Sequence, residues 1–168
     1  MNMWTLYLLL TILILQRIVE LIIAKRNERW MKDRGGKELG EKHYKWIVGL
    51  HIVFFVTLIV ETDWSMQYVE LNYFLLFLFF LTQFARYWCI LSLGKFWNTK
   101  IIVLPRVALI KKGPYKYIKH PNYIIVFIEL IVIPLLFGAV WTASIFPLLH
   151  ILIMFIRIPA ENKALAKS

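Results

Sequence analysis

Cysteine is nearly absent from this chain: Cys89 stands alone among 168 residues. An intrachain disulfide and a cysteine metal cluster are therefore both excluded. Charge is scarce too, at 18% of residues against about 25% in ordinary soluble domains. Acids are the scarcer sign, with 10 Asp and Glu against 20 Lys and Arg, and none lies between Leu71 and Ile128. Apolar residues take the space: 60% of the chain is hydrophobic and the mean hydropathy is +0.65, above the roughly 45–50% apolar content of soluble domains. The composition is that of a membrane protein. Its net charge of +10 sits between apolar runs, not along one face, and so reads as an orientation signal and a set of anionic-lipid contacts. It does not read as a nucleic-acid surface.

The apolar runs predict about five transmembrane helices. Met1 to Ile23 has no basic n-region and no Ala-x-Ala site, and it is long enough to be a retained first span over about Met3 to Ala24. Gln16, Arg17 and Glu20 interrupt it. Arg17 and Glu20 share a helix face, which suits a buried ion pair or a position near a ligand pocket. Lys25 to Lys45 reads as a polar loop with eight Lys or Arg against four acids, placing it on the cytoplasmic side. A second span runs from about Trp46 to Val60, with His51 read as a packing histidine. Glu61, Asp63 and Glu70 mark a link on the opposite side. The third span runs from Val69 or Leu71 to Leu93, where Gln83 and Arg86 share a face and suit a cavity wall. Ile101 to Pro105 is a short extended run. Ile124 to Phe137 and Val140 to Ile156 form a helical hairpin turning at Gly138-Ala139, with Pro134 and Pro147 expected to kink it. Glu129 and His150 need partners in this hairpin and lie at similar depth, so they are candidates to pair with each other. The expected fold is an all-α integral membrane protein with its last two helices a hairpin. Residues 1–92 supply three spans, and residues 93–168 supply a loop, the hairpin and a terminal motif, all in one integrated domain.

Two polar stretches stand out. Lys111 to Tyr123, KKGPYKYIKHPNY, combines a Gly-Pro turn, three tyrosines, four lysines and a His-Pro step. The prolines fix φ and bias their predecessors toward extended backbone, which predicts a rigid irregular loop. One reading is a membrane-edge anchor of Lys and Tyr; the other is a binding loop, since tyrosines supply flat faces with hydroxyl ends and His120 can donate, accept or titrate. The backbone N–H groups near Leu109 and Ile110 add donors. Arg157 to Asn162 closes the chain, and Arg157 and Glu161 lie one helical turn apart, as a plain salt bridge or as two members of one site.

GPYKYIKHPNY, followed by a hairpin and then RIPAE, resembles the C-terminal signature of the isoprenylcysteine carboxyl methyltransferase family, over roughly Arg86 to Leu165. RYWCILSLGKFWNTKIIVLP is most similar to bacterial members associated with type III polyketide synthases, which O-methylate alkylpyrone or alkylresorcinol products. The resemblance implies an integral membrane enzyme that uses S-adenosylmethionine. It places Tyr115, His120, Pro121, Asn122, Tyr123 and Glu161 against the cofactor, and Arg157 against the acceptor oxygen. One departure is Asn162, where many members carry a second acid. Methyl transfer from a sulfonium to oxygen is a single displacement that needs positioning more than charge stabilisation. Arginine stays protonated and cannot be its base, which leaves His120 as the candidate base if one is used.

These readings lead to an S-adenosylmethionine-dependent O-methyltransferase with a lipophilic small-molecule acceptor, in contact with membrane lipids and with no nucleic-acid partner. The expected location is a bacterial plasma membrane, with the site facing the cytoplasm. An alkylpyrone or related polyketide lipid ranks first as acceptor and a prenylated cysteine carboxylate second. A non-enzymatic anchor or scaffold is the alternative of another class.

Overall fold

In the computed structural model, residues 3–65, 70–105, 107 and 110–166 are described. They form helices α1 (Met3–Lys32), α2 (Glu41–Ser65), α3 (Tyr73–Leu93), α4 (Pro121–Leu136) and α5 (Val140–Leu165). Two short strands, β1 (Lys37–Leu39) and β2 (Ile101–Val103), and two 3-10 turns, Gly94–Phe96 and Gly113–Lys116, connect them. Trp4–Lys32, Tyr44–Trp64, Tyr73–Phe96 and Val140–Leu165 are long and apolar enough to cross a membrane, while Pro121–Leu136 is a shorter apolar helix. The chain is an all-α integral membrane protein. Lipid-facing surfaces follow from the sequence directly: Trp4, Leu8, Ile12 and Ile22 on α1, and Phe77, Phe80, Phe84 and Leu91 on α3, are exposed, as expected where hydrocarbon replaces water.

Inward faces meet in one apolar core. Leu6, Leu10 and Leu13 of α1 pack with Leu50, Phe54 and Leu58 of α2, Phe79 of α3, Val126, Leu130 and Ile133 of α4 and Phe146 of α5. Phe54 and Phe146 meet edge to face at 5.4 Å. At one end of the bundle, Tyr7 donates to Asp63 at 2.6 Å. There the Glu61 carboxylate accepts from the backbone N–H groups of Trp141 and Thr142, both at 2.8 Å, and from Thr142 Oγ1 at 2.7 Å. A carboxylate supplied by α2 thus satisfies the free donors at the start of α5 and sits favourably at that helix's positive end. The Gly138 turn is held at this same end, level with the tip of α2. Asn72 caps α3 from its own chain, accepting from Phe74 N and Leu75 N.

The opposite end carries the polar structure. Lys25 to Lys45 is not a loop: α1 continues to Lys32 and α2 starts at Glu41, because Lys, Arg and Glu are good helix formers that extend a span beyond the bilayer. Only a short connection remains, and it holds β1. This strand pairs antiparallel with β2, Lys37 opposite Val103 and Leu39 opposite Ile101, so the extended run at Ile101 is real and has a partner. Lys32 and Lys100 bind Glu28 and Glu38 around the ribbon at 2.5 to 2.9 Å.

Midway along the bundle lies a buried charge network. Glu129, 3% exposed, accepts from Gln83 Nε2 at 3.0 Å and Arg86 Nε at 2.9 Å on one oxygen. Its other oxygen takes Arg17 Nη2 at 2.9 Å and Arg86 Nη2. Glu20 accepts from Gln16 at 3.1 Å, Arg17 at 2.8 Å and Arg86 at 3.3 Å. Two arginines and two glutamates from α1, α3 and α4 cancel their charge and use all four carboxylate oxygens, the condition under which ions persist in hydrocarbon. The Arg17–Glu20 pair is therefore as expected, but Glu129 does not pair with His150. The guanidinium groups reach it first, and His150 instead lies against the Phe127 ring at 6.4 Å.

Candidate active site

The stretch from Lys111 to Tyr123 is more ordered than an irregular loop. Gly113–Lys116 forms a single 3-10 turn with Pro114 in its first turn, and α4 begins at Pro121 with His120 at its N-cap. Proline at the first helical position sacrifices only an N–H that has no intrahelical partner. Pro121, Asn122 and Tyr123 thus form the opening turn of a helix aimed into the bundle. The 3-10 turn is pinned to α3: Gly113 has φ +54°, and a Cβ placed there would collide with Ser92 Oγ and come within 2.9 Å of Trp88 Nε1. Only glycine combines that backbone conformation with that approach.

The end of α5 faces this turn. Arg157, 4% exposed, donates from Nε to the Tyr123 hydroxyl at 2.8 Å and from Nη2 to the Thr99 carbonyl at 2.5 Å. The Tyr123 hydroxyl in turn donates to Glu161. A direct Arg157–Glu161 salt bridge does not form among the described residues, because the phenol stands between them. His120 stacks on Tyr123 with ring centroids 5.6 Å apart, bonds Asn162 Oδ1 through Nε2 at 3.0 Å, and holds Nδ1 3.6 Å from Glu161. Burial, then the neighbouring Cys89, then the charge of Glu161 push the Tyr115 phenol well above its ordinary value. It is a neutral group at any physiological pH. Two polar atoms remain buried without hydrogen-bond partners among the described residues: Arg157 Nη1, a donor, and Asn122 Oδ1, an acceptor.

These side chains line a cavity of about 760 Å³ that continues between the helices, a volume in the range of small-molecule sites. Ile110, Tyr115, His120, Asn122, Tyr123, Arg157 and Glu161 all reach its wall, with β2 over one side and Arg17, Glu20 and Arg86 deeper in. Pro121 is buried behind them as the helix start. Leu109 lies outside the described residues. Two contributors escape sequence reasoning: the Thr99 carbonyl, a backbone atom with no residue-type signal, and Asn162, which is legible only as a departure and serves as the partner of His120.

Residues 74–167 match the isoprenylcysteine carboxyl methyltransferase (ICMT) family. The chain belongs to that family. It is accordingly a multi-pass membrane protein of a methyltransferase family. It is 44% identical over 167 residues to the uncharacterized protein YpbQ of Bacillus subtilis, covering 95% of each chain. An uncharacterized protein of Haemophilus influenzae is 26% identical over 152 residues, covering 89% of this chain and 88% of that one. No solved structure gives a significant match.

Proposed function

We propose that the protein is an S-adenosylmethionine-dependent O-methyltransferase that modifies a lipid-like acceptor, with a type III polyketide product such as an alkylpyrone as the preferred class. The observation that carries this reading is the buried, unpartnered Nη1 of Arg157, a residue of the cavity lining. A buried guanidinium donor left unpaired is costly, and an anionic oxygen of an acceptor satisfies it. Arg157 also suits the task electrostatically: it holds such an oxygen ionised yet unprotonated, ready to accept a methyl group.

The remaining side chains fit the cofactor. Asn122 Oδ1 lacks a donor and suits an ammonium or ribose hydroxyl. Glu161 offers a carboxylate to the same groups, and Tyr115 offers a ring face for the adenine beside the His120–Tyr123 stack. Bound S-adenosylmethionine supplies the methyl group as a sulfonium electrophile. The protein's part is geometric. The Tyr123 hydroxyl locks Arg157 and Glu161 in a fixed relation, the Thr99 carbonyl occupies one of the three guanidinium nitrogens, and Asn162 orients His120. An ionised acceptor needs no base; for a protonated one, His120 is the candidate, through Nδ1, since Nε2 faces the Asn162 oxygen.

Orientation follows from charge. Lys25 to Lys37, Lys95, Lys100, Lys111, Lys112, Lys116, Lys119 and Lys163 gather at the site's end of the bundle, whereas Glu61, Asp63 and Glu70 mark the other end. By the positive-inside rule this asymmetry supports a site on the cytoplasmic face of the membrane, where the soluble cofactor is available. The 16 residues of α4 extend about 24 Å, short of the ~30 Å hydrocarbon core. The site is therefore recessed to a depth that a lipid head can reach from the bilayer.

Transfer of label from methyl-labelled S-adenosylmethionine to an alkylpyrone, by protein in lipid nanodiscs, tests the reading. Wild-type protein labels the acceptor, and Arg157→Ala reduces the rate at least ~100-fold, as expected for loss of a charged contact to the reacting oxygen. Absence of transfer to alkylpyrones and to prenylated cysteine alike would remove it.

A further inference from the structure

Beyond the mouth, the cavity reaches two histidines that the cofactor cradle does not use. His150 of α5 is 3% exposed and lines the cavity. It makes no hydrogen bond among the described residues and lies beside the Phe127 ring, with centroids 6.4 Å apart. It lies seven residues before Arg157, on the same helix face and about 10 Å further along the axis, with the apolar Met154 between them on the cavity wall. His51 of α2 lines the cavity as well. Its Nδ1 lies 2.8 Å from the Ile47 carbonyl; since a carbonyl only accepts, Nδ1 carries the proton and the neutral ring offers Nε2 as an acceptor.

We infer that His150, with His51, binds a second polar group of the acceptor, deeper in the membrane than the oxygen that is methylated. This rests on the methyltransferase reading and specifies its acceptor. A head that carries one reacting oxygen on an all-hydrocarbon tail leaves a buried imidazole facing hydrocarbon with nothing to bond. A head with a further hydroxyl, enol or carbonyl satisfies it, and a site built to bond such an oxygen rejects an analogue that lacks it far more strongly than an apolar pocket distinguishes chain lengths. His150 is thus a specificity-determining residue.

The test uses full-length protein in nanodiscs and two acceptors with the same alkyl chain, 3-pentadecylphenol and 5-pentadecylresorcinol, which differ by one hydroxyl. Wild-type protein should favour the resorcinol in kcat/KM by at least about tenfold, mainly through KM. His150→Leu should bring the two acceptors to within about twofold, His150→Gln should keep part of the preference, and both variants should retain wild-type affinity for S-adenosylhomocysteine. No wild-type preference, a preference that survives in His150→Leu, or failure to methylate either phenol while S-adenosylhomocysteine binds would each overturn the inference. If His150→Leu does not bind S-adenosylhomocysteine, His150→Gln and His51→Leu decide, and an undiminished preference in both overturns it. Wild-type protein that binds no S-adenosylhomocysteine contradicts the methyltransferase reading itself, and the inference falls with it.

Discussion

Two polar clusters sit in this bundle, one at mid-membrane and one at its basic end, and they differ in how completely they are satisfied. Around Glu129 and Glu20 all four carboxylate oxygens accept hydrogen bonds from arginine or glutamine, and the charges cancel. Around Tyr123 the groups are equally fixed, but Arg157 Nη1 and Asn122 Oδ1 have no partner among the described residues. A closed network in hydrocarbon holds helices together. A fixed network with spare donors and acceptors on a cavity wall is prepared for something to complete it.

The contrast is broken most severely at Glu129. Glu129→Ala leaves the buried Arg86 guanidinium and the partly buried Arg17 short of a counter-charge and should cost roughly 3–5 kcal/mol, read as a large drop in thermal unfolding temperature in detergent. Glu161→Ala, at the open cluster, should leave that temperature nearly unchanged while weakening cofactor binding. Equal destabilisation by the two would erase the distinction. Tyr123→Phe is the next largest effect: it removes the hydroxyl between Arg157 and Glu161 and leaves the ring. Loss of a hydrogen bond to charged groups, about 1.5–3 kcal/mol, predicts a ~10- to 100-fold fall in methyl transfer with the fold intact.

Gly113→Ala acts on the scaffold of the open cluster alone. A left-handed φ costs a side chain about 1–2 kcal/mol, and the collision with Ser92 adds to it. The 3-10 turn should leave its seat on α3, detected as protease cleavage near Lys116 with little change in global unfolding. Smallest is the pH response of the ribbon. Burial opposes the charge on Glu38, but hydrogen bonds from Lys32 and Lys100 prevail and hold its carboxyl below the ordinary value. That stability is complete above the unfolded carboxyl range, near pH ~4.3, and fades as pH falls through the lower folded value. Glu38→Gln should flatten this acid limb of the unfolding curve.

The sequence announces what is local and hides what is long-range. Spans are legible because hydropathy alone decides them, and Arg17 with Glu20 is legible because three residues make one helix face. The ends of α1 and α2 are not, since charged helix formers continue a helix into water while looking like a loop. Glu129 is recognisable as a residue that needs a partner, but which partner depends on how α1, α3 and α4 pack. The same limit applies at the site. Arg157 and Glu161 are visibly one turn apart, yet the phenol between them comes from 34 residues upstream of Arg157, and its neighbour Thr99 contributes only backbone.

The central claim is that the cluster around Tyr123 is a cofactor site and not a membrane-edge anchor. Calorimetric titration of S-adenosylhomocysteine into the protein in nanodiscs, alongside Glu161→Ala and His120→Ala variants that unfold at the wild-type temperature, tests it most directly. Saturable binding by the wild type, weakened at least about tenfold in both variants and unchanged when anionic lipid is removed, is the predicted result. No binding by the wild type, or binding that both variants retain, would contradict it.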